Sequence, residues 1–395
     1  MHIIPYGKQE ITQQDIDSVV AVLKSDFLTQ GPKVLEFEEA FASYVGAKYA
    51  IAVSNGTAAL HLSTLALGLK QNENVITTPI SFVATANCIK YCGGNVWFSD
   101  IDSETILLDL QKLELLLESE PYGTFKGVIV VNFAGNVIHL EKLRELTTKY
   151  GLWIIEDACH SPGGYFVDKS GEISLSGSSK FTDLSVFSFH PVKHIASGEG
   201  GMITTDNYDL YSKILRLRTH GITKSNIEFI NYSKSVGSDT DSDFPGWYME
   251  MQDLGFNYRL TDIQAALGLS QLSEANTRLA KRKTIAAFYN DFFQDKEYIL
   301  WQSGNVEGHA YHLYILQVKD RLGLYNYLRK RNIFAQIHYF PIHLNPYYSS
   351  EINANFSLKN AELYYENCIS IPNYPSLSDV ELDYITSEID KFYTC

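Results

Sequence analysis

Short apolar runs alternate along this chain with stretches whose apolar positions recur every three or four residues. Ile16, Val19, Val20 and Leu23 fall at helical spacing and predict an amphipathic helix ahead of the Leu28-Thr-Gln-Gly31 turn. A second helix is predicted over about Val34 to Val45. Beyond it the periodicity switches back and forth. Tyr49–Val53, Asn74–Thr78, Val96–Ser99, Gly127–Asn132, Trp153–Glu156 and Leu184–Phe187 read as strands. Thr57–Leu67, Phe82–Tyr91 and Leu140–Tyr150 read as helices among them. Such alternation predicts an α/β fold with a mostly parallel sheet covered on both faces. Met202–Thr205 is expected to add an antiparallel or edge strand. The polar stretch Asn231–Phe244 reads as a mobile loop. A long helix is expected from near Thr261 into Lys281-Arg-Lys283. Strand His312–Val318 then opens a smaller α/β layer, which continues with helix, strand and helix. The pattern divides the chain into a large domain over residues 1–265 and a small one over 266–395.

Composition adds limits. The chain has 395 residues, 45% hydrophobic and 20% charged, enough for two substantial cores. A formal net charge of -14 argues against nucleic acid or an anionic membrane as partner. Cys88, Cys92, Cys159, Cys368 and Cys395 show no CxxC pair or metal-ligand spacing, so no metal is expected and they read as reduced thiols. No signal-peptide pattern opens the chain, and no apolar run reaches membrane-spanning length, which points to a cytoplasmic protein.

Candidate chemistry gathers at three strand ends. In Leu184-Ser-Val-Phe-Ser-Phe-His-Pro-Val-Lys193, a lysine follows an apolar strand and sits among aromatic and small residues. Desolvation there would lower its pKa and make the amine a nucleophile suited to Schiff-base chemistry. Ser54-Asn-Gly-Thr57 joins a strand to a helix, where first-turn amides and the Thr57 hydroxyl can cradle a phosphate. It matches neither a Walker loop nor a dinucleotide fingerprint. Ile154-Ile-Glu-Asp-Ala-Cys-His160 ends a third strand with Asp157 and His160. Asp157 is suited to hold a protonated ring nitrogen of a heterocyclic cofactor. Ser188 could add a hydroxyl to the phosphate, and Phe82 a flat face to the ring. Each residue alone has an ordinary use: surface lysine, helix cap, core packing. The combination is far more specific than any member.

These residues resemble the sugar-nucleotide aminotransferases of the DegT/DnrJ/EryC1/StrS family. The marks are Leu28-Thr-Gln-Gly31, Asn55-Gly-Thr57, Thr78-Pro-Ile-Ser-Phe-Val-Ala-Thr-Ala-Asn87, Glu156-Asp-Ala158 and Ser188-Phe-His-Pro-Val-Lys193. Further on come Gly255–Gly268 and Gln336-Ile-His-Tyr-Phe-Pro-Ile-His343. The resemblance implies the type I fold of aminotransferases that use pyridoxal 5'-phosphate, with pyridoxamine 5'-phosphate as the amino-carrying form. Lys193 would then be the Schiff-base lysine, Asp157 the partner of the ring nitrogen, and His160 a neighbour of the ring hydroxyl. Phe82 would stack on the ring, and Asn55, Gly56, Thr57 and Ser188 would hold the phosphate. Asn257 would reach that phosphate from a second subunit, in a homodimer with shared active sites. L-glutamate, leaving as 2-oxoglutarate, is the implied donor. The implied acceptor is a UDP-linked 4-keto-6-deoxy sugar, UDP-2-acetamido-2,6-dideoxy-β-L-arabino-hex-4-ulose of pseudaminic acid biosynthesis. Tyr6, Gln30, Arg259, Tyr311, His338 and Tyr339 are the candidate substrate contacts, with Lys8 a further cation for the diphosphate. One departure stands out: many relatives carry glutamine where this chain has His160. The alternatives are a 4-aminotransferase for another nucleotide-linked keto sugar, or a non-catalytic homologue that binds sugar nucleotides.

Overall fold

The computed structural model describes residues 3–225, 228–230, 247–350 and 358–394. The polar stretch 231–244 and Cys395 lie outside the described residues. Local chemistry sets the first helices. Thr12 and Asp15 form a reciprocal capping box at the start of Gln13–Leu23. The next helix, Pro32–Val45, begins on proline and ends at Gly46, whose φ of 76° suits glycine.

Seven strands form the main sheet: β2 (Tyr49–Val53), β3 (Asn74–Thr77), β4 (Asn95–Phe98), β5 (Phe125–Val131), β6 (Trp153–Asp157), β9 (Leu184–Ser188) and β10 (Gly201–Thr205), with β1 (Ile4–Pro5) elsewhere and β7 (Tyr165–Val167) and β8 (Ile173–Leu175) making a small hairpin between. Their spatial order is β2-β10-β9-β6-β5-β3-β4. Every pairing is parallel except those of β10, which runs antiparallel to both β2 and β9. Met202–Thr205 is therefore antiparallel but interior. All five residues of β10 are buried, and ladders on both sides satisfy their backbone groups.

Helices Gly56–Ala66, Ala84–Tyr91 and Tyr208–Arg218 cover one face. Against the other, Phe37 and Phe41 pack on Phe187 and Phe189, with Phe41 and Phe187 centroids 4.8 Å apart. Between the strands of the main sheet and just after it, Leu110–Ser119 and Tyr208–Arg218 escaped the periodicity reading, although Asp109 and Asn207 cap them through their side chains. The long helix expected from Thr261 divides at Glu274 into Asp262–Ser273 and Ala275–Phe293.

The C-terminal layer is built on β13 (Ile299–Gln302), β14 (Tyr314–Val318) and β16 (Cys368–Ile371), paired antiparallel; β11 (Ile222–Thr223) and β12 (Glu250–Met251) form a separate ribbon, and β15 (Ile333–Phe334) pairs in parallel with β1. That last pairing brings the start of the chain into the C-terminal layer. Ile4 is buried in its core, and Tyr6 is carried to the cleft between the layers. Among the described residues, no helix is long and apolar enough to cross a membrane.

Close backbone approach fixes how β10 meets the first helix of the sheet. A Cβ on Gly201 would lie 2.6 Å from the Asn55 carbonyl and 2.9 Å from the Gly56 nitrogen. Backbone there cannot move aside, so Gly201→Ala is expected to cost about 1–3 kcal/mol. Gly7→Ala, whose added Cβ meets nothing nearer than 3.5 Å, should be near neutral. Urea denaturation of both variants checks this, and equal midpoints would show that the Gly201 contact is not limiting.

Candidate active site

The parallel strands deliver their C-terminal ends to one cleft of about 840 Å³, closed on its far side by the C-terminal layer. Asp157, the last residue of β6, is buried and held from two sides. Thr85 Oγ1 donates to Asp157 Oδ2 at 2.8 Å, and the Cys159 amide donates to Oδ1 at 3.2 Å. Thr85 spends its one proton on Asp157, so Ser81, 2.7 Å away, must donate to Thr85.

Lys193 follows β9 in a turn closed by its own amide, which donates to the His190 carbonyl at 2.8 Å. Burial lowers the pKa of its amine. The Asp157 carboxylate opposes that shift, and the charge of Arg282 adds to it. A larger fraction of neutral, nucleophilic amine results. Burial, with Asp157 nearby, pushes the Cys159 thiol well above its usual range, so it stays protonated.

Asn55 caps helix Gly56–Ala66, its side-chain oxygen accepting from the Ala58 amide at 2.8 Å. The Gly56 and Thr57 amides thus stand in the first turn, where no helical carbonyl faces them. A Cβ on Gly56 would sit 3.0 Å from Ser188 Cβ and 3.4 Å from its hydroxyl. Glycine keeps open a gap walled by donors, the shape and charge an anion needs.

His160 is buried against this group. The Ala134 amide donates to its Nδ1 at 3.3 Å, so Nε2 carries the proton and faces the Tyr339 hydroxyl at 3.4 Å. Its ring stands 4.3 Å from that of His312, and the His194 ring is 5.7 Å from His312. Burial holds all three well below the ordinary histidine pKa, with Lys193 adding to the shift in each. They are neutral at physiological pH.

The cleft brings together Tyr6, Asn55, Gly56, Thr57, Phe82, Asp157, His160, Ser188, Lys193, His338 and Tyr339. Phe82 lies just before helix Ala84–Tyr91 and is 58% exposed, presenting its ring to the open space. Tyr6 packs 5.0 Å from His338. Lys8, Gln30, Asn257, Arg259 and Tyr311 are not in its lining. Gln30 and Asn257 are exposed elsewhere. Tyr311 is buried, its hydroxyl donating to the Gly304 carbonyl at 2.7 Å, so it serves a loop of the C-terminal layer. Sequence reasoning missed Ser81, Thr85, Tyr91, Cys159, Tyr258 and Gln336 in the lining. Ser81 and Thr85 lie four residues apart, a helical neighbour pair that could have been noticed. Nothing in the sequence ties Thr85 to Asp157.

An open α/β sheet that gathers reactive groups at its strand ends places the protein among enzymes whose ligand crevice lies at those carboxyl ends. Comparison with known proteins supplies the rest. The model of the DegT/DnrJ/EryC1/StrS aminotransferase family matches residues 9–390, and the chain belongs to that family. It is an aminotransferase. UDP-4-amino-4,6-dideoxy-N-acetyl-beta-L-altrosamine transaminase of Campylobacter jejuni is 36% identical, over 95% of this chain and 94% of that protein. The structure of PseC from Helicobacter pylori, an aminotransferase involved in the biosynthesis of pseudoaminic acid, superposes with a TM-score of 0.85 at 30% identity, covering 99% of both chains. The sugar aminotransferase Spr1654 of Streptococcus pneumoniae, named as putative and solved in its PLP-form, gives 0.84 at 26% identity over 99% of this chain and 98% of that one.

The buried histidines make acid stability testable. Burial holds His309 and His338 at about 3. The unfolded chain then binds more protons than the folded one wherever the pH lies between that value and 6.5. Stability is complete above the ordinary histidine pKa and is lost as pH falls below it, by roughly 2 kcal/mol per histidine at about pH 5. The urea midpoint should drop between about pH 7 and 5, and less steeply in His309→Gln. An equally steep fall in that variant would remove His309 as a cause.

Proposed function

We propose that this enzyme moves an amino group from L-glutamate to the 4-keto carbon of a UDP-linked 6-deoxy sugar, using pyridoxal 5'-phosphate held in the cleft described above. The substrate we infer is UDP-2-acetamido-2,6-dideoxy-β-L-arabino-hex-4-ulose, a precursor of pseudaminic acid. The observation that carries the chemistry is one cleft lined by an amine of lowered pKa, a hydrogen-bonded carboxylate, and a glycine-lined gap at a helix N-terminus. Those groups fit the aldehyde, ring nitrogen and phosphate of that cofactor. The names of the Campylobacter and Helicobacter relatives support the choice of sugar.

When bound, the cofactor supplies a carbonyl carbon that carries the amino group and a ring that withdraws electrons. The chain's own residues do the rest. Gly56, Thr57 and Ser188 anchor the phosphate through amides and hydroxyls. Asp157, steadied by Thr85 and the Cys159 amide, holds the proton on the ring nitrogen. Phe82 covers one ring face, and neutral His160 offers its Nε2 proton near the ring hydroxyl. Lys193 Nζ takes the proton from the α-carbon of glutamate, and in the second half-reaction delivers one to C4 of the sugar. Release of 2-oxoglutarate separates the two halves.

Phosphate, diphosphate and glutamate bring several negative charges, yet among the described residues Lys193 is the only lysine or arginine in the cleft lining. Asn257 is exposed outside its own cleft, with Arg259 two residues on. Both facts favour a homodimer in which this segment completes the partner's site.

Lys193→Ala should fold and lose transamination by about 10²-fold to 10⁴-fold or more, measured as 2-oxoglutarate release. Near-normal turnover in that variant would sink the scheme. Mixing the weakened variants Lys193→Ala and Asn257→Asp, with subunit exchange, should restore roughly a quarter of parental activity, since half the dimers are hybrids with one intact site. No recovery in demonstrated hybrids would refute site sharing. Incubation with glutamate and candidate UDP-4-keto sugars, read by mass and NMR, tests the substrate. Amination of a different sugar alone would overturn that assignment and leave the family standing.

A further inference from the structure

Glu156 is an acid that the proposed reaction leaves unused, and it is fully buried. Successive strand residues point to opposite faces, so with Asp157 turned to the cleft, Glu156 points to the far side of the sheet. There it takes four hydrogen bonds. Oε1 accepts from Asn132 Nδ2 at 2.6 Å and from Ser176 Oγ at 2.7 Å. Oε2 accepts from the Gly177 amide at 3.0 Å and from Ser185 Oγ at 2.6 Å.

The donors belong to the elements that carry the cleft's reactive groups. Asn132 follows β5, its amide donates to the Asp157 carbonyl at 3.1 Å, and it precedes the turn whose Ala134 amide holds His160. Ser185 lies on β9, the strand that ends in Ser188 and leads to Lys193. Ser161, directly after His160, places its hydroxyl 2.7 Å from Ser176 Oγ. One carboxylate therefore ties the C-terminal ends of β5 and β6 to the start of β9, the strand that runs on to Lys193.

The pocket is specific for a carboxylate. Asn132 cannot flip, because its Oδ1 already accepts from the Ile138 amide at 3.1 Å. Each Glu156 oxygen thus faces one N–H of fixed direction and one hydroxyl that can rotate. A glutamine there would set its NH₂ against Asn132 Nδ2 or the Gly177 amide, whichever way it turned. A buried donor would be left without an acceptor.

We propose that Glu156 is a positioning residue for the transamination: its carboxylate locks three adjacent strands in register, and so sets where Asp157, His160 and the Lys193 segment stand. This rests on the reading in which Asp157 and Lys193 meet a pyridine cofactor. The test compares Glu156→Gln and Ser185→Ala with the parent holoenzyme, by pH titration of the bound cofactor's visible absorbance and by single-turnover reaction with glutamate. Glu156→Gln should keep the parental circular dichroism and displace the titration midpoint by about half a pH unit or more. Its single-turnover rate should fall roughly 10-fold to 100-fold, with little change in half-saturating glutamate. Ser185→Ala keeps the charge and removes one donor, so it should move the midpoint the same way by less. A midpoint and rate equal to the parent's in both variants overturn the proposal, whatever their melting temperatures. If Glu156→Gln fails to fold, an unaltered Ser185→Ala overturns it alone. A parent protein that gains no visible absorbance with pyridoxal phosphate defeats the cofactor reading itself, an outcome distinct from unaltered variants.

Discussion

Desolvation of the Lys193 amine beside a carboxylate is the constraint on which the site depends. Left in water, the amine would be charged and would pair with Asp157. In the cleft, burial favours the neutral form, while Asp157 pulls the other way. Burial is the larger influence, and the charge of Arg282 adds to it. Arg282 is only 2% exposed, and its Nη1 donates to the carbonyls of His312 and Asn373. Burial lowers its pKa to about 10, which still leaves it charged near neutral pH. A buried cation held by carbonyls rather than by an acid projects its field towards Lys193 uncancelled.

The surrounding histidines follow the same logic. His160, His194, His312 and His338 are all buried and all held below the ordinary imidazole pKa. As neutral rings they supply donors and packing without adding charge. Placing titratable groups around a reactive amine while keeping them uncharged requires excluding water from several elements at once. The C-terminal layer, joined to the chain's start by the β1–β15 pairing, supplies His312 and His338 for that purpose.

Sequence periodicity made much of this architecture legible. Strands β2, β3, β5, β6 and β9 carry apolar runs whose burial on both faces is what a parallel sheet demands. Lys193, Asp157 and the Asn55-Gly56-Thr57 turn were each found by their place after such a run. Other features gave no local signal. The interior seat of β10 depends on which two strands offered complementary edges. The break at Glu274 falls inside an unbroken helical pattern. Tyr311, read as a substrate contact, is instead turned into a loop of the C-terminal layer by its bond to the Gly304 carbonyl.

What the sequence determined by itself is the alternation of strand and helix, and the order in which a phosphate-sized turn, a carboxylate and a lysine follow successive strands. Those are properties of residues near one another in the chain, where sterics and hydrophobic spacing act directly. Only the tertiary structure decided that Thr85 would steady Asp157, that the charge of buried Arg282 would act on Lys193, and that Glu156 would gather Asn132, Ser176 and Ser185 beneath the sheet. Such contacts join residues tens of positions apart. Their partners are selected by the packing of the whole core, and no local pattern encodes that choice.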